Sequence, residues 1–185
     1  MRPEILTHPN IPKPLHGISP RTIMGQKWWD DKRRHVYALY DYHCAACGVH
    51  KLEAAGPKWL EAHEYWNIDY MTGICKIESI EPLCHYCHAF IHSGRLAIIN
   101  KSDEYKKSVI EHGFKILKKN NLQPFYFVVD LADRFNIKHE GIKGYIPKLN
   151  KNLNWSDYVL IFNGKEYRSR FNDIFEWKKH YKGGF

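Results

Sequence analysis

The sequence predicts an α+β chain organised around a strand–strand–helix unit, and three observations lead there. Two Cys-x-x-Cys knuckles, Cys44-Ala45-Ala46-Cys47 and Cys84-His85-Tyr86-Cys87, flank a stretch that reads as two β-strands joined by a turn. The second knuckle runs directly into His88 and His92, one helical turn apart, so a short helix starts where the second strand stops. Near the C-terminus, Asn163-Gly164 sits between apolar and alternating residues, the strongest short-range hairpin signal.

The elements follow in order. Residues 1–20 hold Pro3, Pro9, Pro12, Pro14 and Pro20, which favours an extended arm over a helix. Ser19-Pro20 is a helix start, with serine as cap and proline at the first helical position. The helix it opens covers residues 21–40, with Trp28, Trp29, Val36, Leu39 and Tyr40 as buried candidates and Lys32, Arg33 and Arg34 as a basic cluster. A loop with Gly56-Pro57 leads to a strand at about residues 59–66, a turn, a second strand at 74–83 and the helix at 85–92.

Ser102 opens a further helix to residue 119, with Asp103 and Glu104 in its first turn and Lys115, Lys118 and Lys119 near its end, the charge order the helix dipole favours. Residues 125–135 suit a helix or a strand, 158–167 a hairpin, and 173–181 a closing helix. The expected organisation is an N-terminal arm (1–20), a central domain (21–119) and a small C-terminal α/β extension (120–185).

Composition narrows the function classes. The chain has 185 residues, 44% of them hydrophobic and 15% aromatic, enough for an ordered core. A formal net charge of +8 favours a polyanionic partner, of which nucleic acid is the commonest. No secretory signal and no membrane span is read from the sequence, so a soluble, cytoplasmic protein is the expectation. Four of the five cysteines lie in the knuckles, which suits metal ligation in a reducing compartment. The fifth, Cys75, falls in the second strand as a small apolar residue.

The chemistry divides into two sets of ligands. Cys44, Cys47, Cys84 and Cys87 supply four thiolates for a tetrahedral structural Zn²⁺. His63 on the first strand and His88 and His92 on the helix can converge on a second, divalent cation held with open positions. Glu64 or Glu61 would act as a base or would orient a ligand, and Arg95 would clamp a phosphate with its fork of donors. His85, inside the knuckle, is expected beside the ligands or exposed. The isolated His16, His35, His50, His112, His139 and His180 are read as incidental.

Residues 44–95 resemble the HNH endonuclease family, through the segments HCAACG, LEAHE and PLCHYCHAFIHSGR. The resemblance implies a ββα-metal core with a four-cysteine zinc site and metal-dependent hydrolysis of phosphodiester bonds in double-stranded DNA. It implies that a strand pair supplies one metal ligand and the general base. His88 after the last cysteine is a second ligand and His92 a third. The catalytic cation would be Mg²⁺, Mn²⁺, Ni²⁺ or Zn²⁺. This chain carries His63-Glu64 where the family often has His-His or Asp-His. Either His63 binds the metal with Glu64 in the base position, or His63 is the base and Ala62 cannot be a ligand.

The family's middle Asn aligns with about Ser79, leaving Asn67 as a weak substitute. The alternative function is a zinc-binding protein that kept the fold without cleavage, as a nucleic-acid binder or protein inhibitor. A protein partner would dock through residues 120–185.

Overall fold

The computed structural model describes residues 1–8 and 10–181, and it is α+β. Two short helices, α1 (Pro20–Met24) and α2 (Gln26–Leu39), precede strands β1 (Leu60–Ile68) and β2 (Ile74–Cys84). Helices α3 (His85–Ile91), α4 (Ser93–Ile98), α5 (Asp103–Lys119) and α6 (Tyr126–Arg134) follow. Strands β3 (Val159–Phe162) and β4 (Lys165–Arg168) and helix α7 (Ile174–Tyr181) close the described chain. Among the described residues no helix is long and apolar enough to cross a membrane.

Contacts divide the chain into two compact units, neither continuous in sequence. One holds Met1–Asn10, Arg33–His63 and Glu81–Ile146; the other holds Ile11–Lys32, Glu64–Ile80 and the residues from Pro147 on. The first unit packs α3 against α5. Phe90 is fully buried there, and a Cβ on Gly113 would come within 2.2 Å of its ring, so only glycine lets the two helices approach this closely. Ser102 caps α5 by accepting from the Tyr105 backbone N–H at 3.3 Å, as the sequence indicates.

The second unit is organised by a four-stranded sheet in the order β1-β2-β3-β4. The β1–β2 connection is closed by Asp69, whose carboxylate accepts from the backbone N–H of Met71 at 2.8 Å and from the Thr72 hydroxyl at 2.7 Å. β3 adds to β2 in parallel, with Cys75 opposite Leu160. β3 and β4 form the hairpin expected at Asn163-Gly164. Both turn residues have positive φ (50° and 71°), as a two-residue turn matched to strand twist requires. Leu15, Trp66, Cys75, Leu160 and Phe162 form its buried core. Cys75 is therefore a buried apolar strand residue, as its sequence position predicts, and burial pushes its thiol up to about 12.

Three expectations are corrected. The proline-rich N-terminus is not an extended arm: Pro3–Thr7 and Lys13–Leu15 form 3₁₀ turns, and Ile5, Leu6 and Leu15 are buried to within 1%. Proline restricts φ but does not prevent 3₁₀ turns, and burial of three aliphatic side chains outweighs the weak hydrogen bonds of such turns. The helix expected over residues 21–40 is broken at Gly25, which has φ +86°. Leu39 is 69% exposed at the end of α2, whereas Trp29 and Val36 are buried as expected.

Candidate metal centre

The two knuckles fold onto each other in the first unit. The Ala45 N–H donates to the carbonyl of Pro82 at 2.7 Å, pinning the first knuckle to the end of β2 just before Cys84. All four cysteine sulfurs lie within 4.8 Å of one another. The Cys47 and Cys84 sulfurs are 3.8 Å apart. A tetrahedron with metal–sulfur bonds of about 2.3 Å has edges of about 3.8 Å, so this pair already has the spacing a zinc ion would impose.

The crowding also shows in the acidities. Hydrogen bonds from Cys47, Cys84 and Cys87 hold the Cys44 thiol far below its ordinary range, while the same sharing pushes Cys87 well above it. Four sulfurs this close cannot all ionise until a cation neutralises them. The four cysteines could hold a metal ion such as zinc. His112 on α5, read as incidental from the sequence, puts Nε2 3.4 Å from the Cys87 sulfur, in the position of a ring donor to a thiolate.

The histidines form a second group. His63 on β1, His88 on α3 and His92 just beyond it offer ring nitrogens that also lie within 4.8 Å of one another. Their ring centroids are 5.5 Å (63–88), 5.0 Å (63–92) and 4.5 Å (88–92) apart, with interplanar angles of 79°, 75° and 69°. Steep angles direct ring edges, where the nitrogens are, toward neighbouring rings. The i, i+4 spacing read from the sequence brings His88 and His92 together, and the return of β2 into α3 sets them against β1.

His63 is the innermost member, 3% exposed, and neither of its ring nitrogens has a hydrogen-bond partner. Such a polar group ordinarily costs about 1–3 kcal/mol, so a native fold seldom leaves one without a ligand. Burial first, then the neighbouring charges of His92 and His88, holds His63 well below the usual imidazole range. Burial and the charges of His88 and Arg95 lower His92 to about 3. Both rings are therefore neutral near pH 7, the form that binds a cation. The donor set fits a divalent metal with three nitrogen ligands.

Glu61 stands two residues before His63 on β1, the spacing that shares a strand face. It accepts from His88 Nδ1 at 2.8 Å and from His85 Nδ1 at 2.6 Å. Burial would raise its carboxyl, but His88 and His85 outweigh that and lower it to about 2. His85 in turn has Nε2 2.8 Å from the Tyr105 hydroxyl. A hydrogen-bonded chain thus runs Tyr105–His85–Glu61–His88, and it fixes the ring of one candidate ligand.

Glu64 is not in the histidine group. It directly follows His63 on β1 and is half-buried. Arg95 is exposed in α4, and its charge reaches His92. Asn67 donates its side-chain amide to Glu78 at 2.8 Å. In the basic cluster of α2, Arg33 bonds the Tyr37 hydroxyl, while Lys32 and Arg34 are exposed.

Sequence reasoning missed His8, Glu81 and the bridging role of His85. Glu81 is a buried carboxylate bound by Arg2 and by the Tyr40 hydroxyl. Only its place beside Pro82 and Leu83 in a buried strand end hinted at a partnered acid. His8 is nine-tenths buried, and its ring stands edge-on to His63. Comparison of the chain with protein-family models, with curated proteins and with solved structures finds no match.

Proposed function

We propose that this protein is a divalent-metal-dependent endonuclease of the HNH type that hydrolyses phosphodiester bonds in double-stranded DNA. The observation that carries the reading is His63: a buried imidazole with both nitrogens unpartnered, facing His88 and His92. A purely structural zinc protein has no use for a second, all-nitrogen cluster beside its thiolates. Three neutral ligands leave a cation its full charge, and three protein ligands with an open position are the arrangement of hydrolytic rather than structural sites.

In this reading the cation, when bound, neutralises the phosphate and stabilises the leaving oxygen. Glu61 holds the His88 ring so that its Nε2 faces the cluster, and His85 and Tyr105 hold Glu61. The exposed Arg95 is available to the phosphate as a bidentate donor. The four cysteines fix the knuckles from which α3 starts. The formal charge of +8 favours the polyanionic substrate.

The test is incubation of the purified protein with plasmid DNA and Mg²⁺, Mn²⁺ or Ni²⁺, beside His88→Ala. Metal-dependent nicking or linearisation that the variant lacks supports the reading. A wild type that cleaves nothing with any of these cations removes it. The second reading, a non-cleaving nucleic-acid binder, is favoured by one observation: Glu64, the base of one register of the family motif, is not in the group that His63, His88 and His92 form. Salt-sensitive DNA binding without cleavage would be its signature.

A further inference from the structure

Helix α5 presents one face to the second knuckle. Tyr105 and His112 are two helical turns apart, so they share that face. The Tyr105 hydroxyl lies 2.8 Å from His85 Nε2, and His112 Nε2 lies 3.4 Å from the Cys87 sulfur. The Tyr86 ring stands edge-on to both, its centroid 6.0 Å from that of Tyr105 and 5.7 Å from that of His112. Tyr105 belongs to the hydrogen-bonded chain that ends on His88. His112 has no part in the hydrolytic reading.

The placement of His112 is specific. The buried residues of α5 are Val109, Ile110, Gly113, Phe114 and Leu117, none with a polar side chain. Gly113 lets α5 close onto Phe90, and the residue beside it is the one that reaches Cys87, a turn earlier on α3. A side-chain hydrogen bond from His112 acts on the Cys84 thiol as well, so the ring adjoins both sulfurs of the knuckle. It is not a member of the group in which the four sulfurs lie within 4.8 Å of one another, and four thiolates already complete a tetrahedral zinc shell. A metal-bound thiolate has lone pairs and no proton, so the nitrogen facing it carries the hydrogen. Four thiolates more than neutralise Zn²⁺, and a ring N–H offsets part of the excess negative charge.

We propose that His112 is the positioning residue of the cysteine site: its Nε2–H donates to the Cys87 sulfur, holds the thiolates of the second knuckle where zinc needs them, and so retains the metal. The role rests on the four cysteines holding zinc and is independent of any hydrolysis at the histidine cluster. Helix α5 is thereby part of the zinc site and not merely a cover packed against it.

The full-length zinc protein is compared with His112→Phe, which keeps a ring without a donor, and His112→Gln, whose amide N–H restores one. Zinc affinity at the cysteines is measured by chelator competition. Co²⁺ loaded at the cysteines reports on the sulfurs through their charge-transfer absorption. The expected result is zinc binding about 10- to 100-fold weaker in His112→Phe, and within about threefold of wild type in His112→Gln. The absorption of His112→Phe should move to longer wavelength, because a sulfur without a hydrogen bond gives up its electron more readily. An affinity of His112→Phe within about threefold of wild type overturns the inference. Equal weakening in both variants with no spectral shift also overturns it, since that is the mark of packing alone. So does a wild-type Co²⁺ spectrum with nitrogen among the four ligands, which would make His112 a ligand. One measurement needs no variant: nitrogen NMR of the zinc-loaded wild type should find the His112 proton on Nε2, and a ring protonated only at Nδ1 overturns the inference even where His112→Phe does not fold. A wild type whose zinc content is unaffected by Cys47→Ser removes the cysteine-site reading and this inference with it; cysteine-bound zinc with an unaffected His112→Phe removes this inference alone.

Discussion

His88 donates its Nδ1 proton to Glu61 across 2.8 Å, which leaves Nε2 as the ring atom it can offer to an ion. Because a carboxylate only accepts, the bond selects one tautomer and one ring orientation before any metal arrives. Partners of this kind ordinarily change metal affinity about 10- to 100-fold. Glu61→Ala should therefore weaken Co²⁺ or Mn²⁺ binding at the histidine cluster by that factor and leave the cysteine site loaded. Titration of the cation into zinc-loaded protein, followed by calorimetry, checks it. An unchanged affinity would mean that His88 is not a ligand.

The cysteine site should behave as part of the fold. A structural metal binds the folded chain and not the unfolded one, so its binding free energy adds to stability. Cys87→Ser or Cys47→Ser should give insoluble protein or a markedly lower melting temperature, with loss of one zinc per chain. A soluble double variant that melts like the wild type would sink the site. Metal analysis beside a thermal melt is sufficient.

The local signals were legible because they are local. The Cys-x-x-Cys spacings, the i, i+4 pair His88/His92, the Ser102 cap and the Asn163-Gly164 turn each depend on a few neighbouring residues. What the sequence withheld is set by distant partners. Nothing near Val159–Phe162 announces that it will join β2 in parallel, because that register is chosen by burial against Trp66 and Leu15. Nothing near His8 announces His63, because Ile5, Leu6 and Arg2 place it through contacts with residues far along the chain. Strand alternation could have ranked Glu61 above Glu64 beside His63, since residues two apart share a strand face, and Glu61 is the acid that bonds His88.

Gly113 offers a test of the α3–α5 packing. In an ordinary exposed helix, Gly→Ala stabilises by about 1 kcal/mol. Here the added methyl would meet the fully buried Phe90 ring at 2.2 Å, and overpacking of that kind costs about 1–3 kcal/mol. Gly113→Ala should therefore destabilise, by urea denaturation of the zinc-loaded protein. A gain in stability would show that α3 and α5 are farther apart than described. Since α3 carries His88, and His92 follows directly from it, a loosened α3 should also lower metal affinity.

The histidine cluster, when it holds no metal, predicts a pH dependence of stability. His92 is lowered to about 3 from an ordinary value near 6.5, and His63 is lowered well below that value as well. Above about pH 6.5 both rings are neutral whether the chain is folded or not, and they contribute no pH dependence. Below it the unfolded chain takes up protons that the folded chain refuses, so stability falls as pH falls. The loss runs from about pH 6.5 down toward the folded value near 3, with a slope of at most about 1.4 kcal/mol per pH unit for each such group. Urea midpoints at pH 7.5, 6 and 5 of protein holding one zinc per chain, at the cysteine site, with the histidine cluster left empty, measure it. His92→Gln, which removes one titrating ring, should flatten the decline, and saturating Co²⁺ should steepen it, because the ion binds only neutral rings and adds its own stabilisation at high pH. A midpoint that is flat across this range would place both histidines in contact with solvent and exclude the buried cluster.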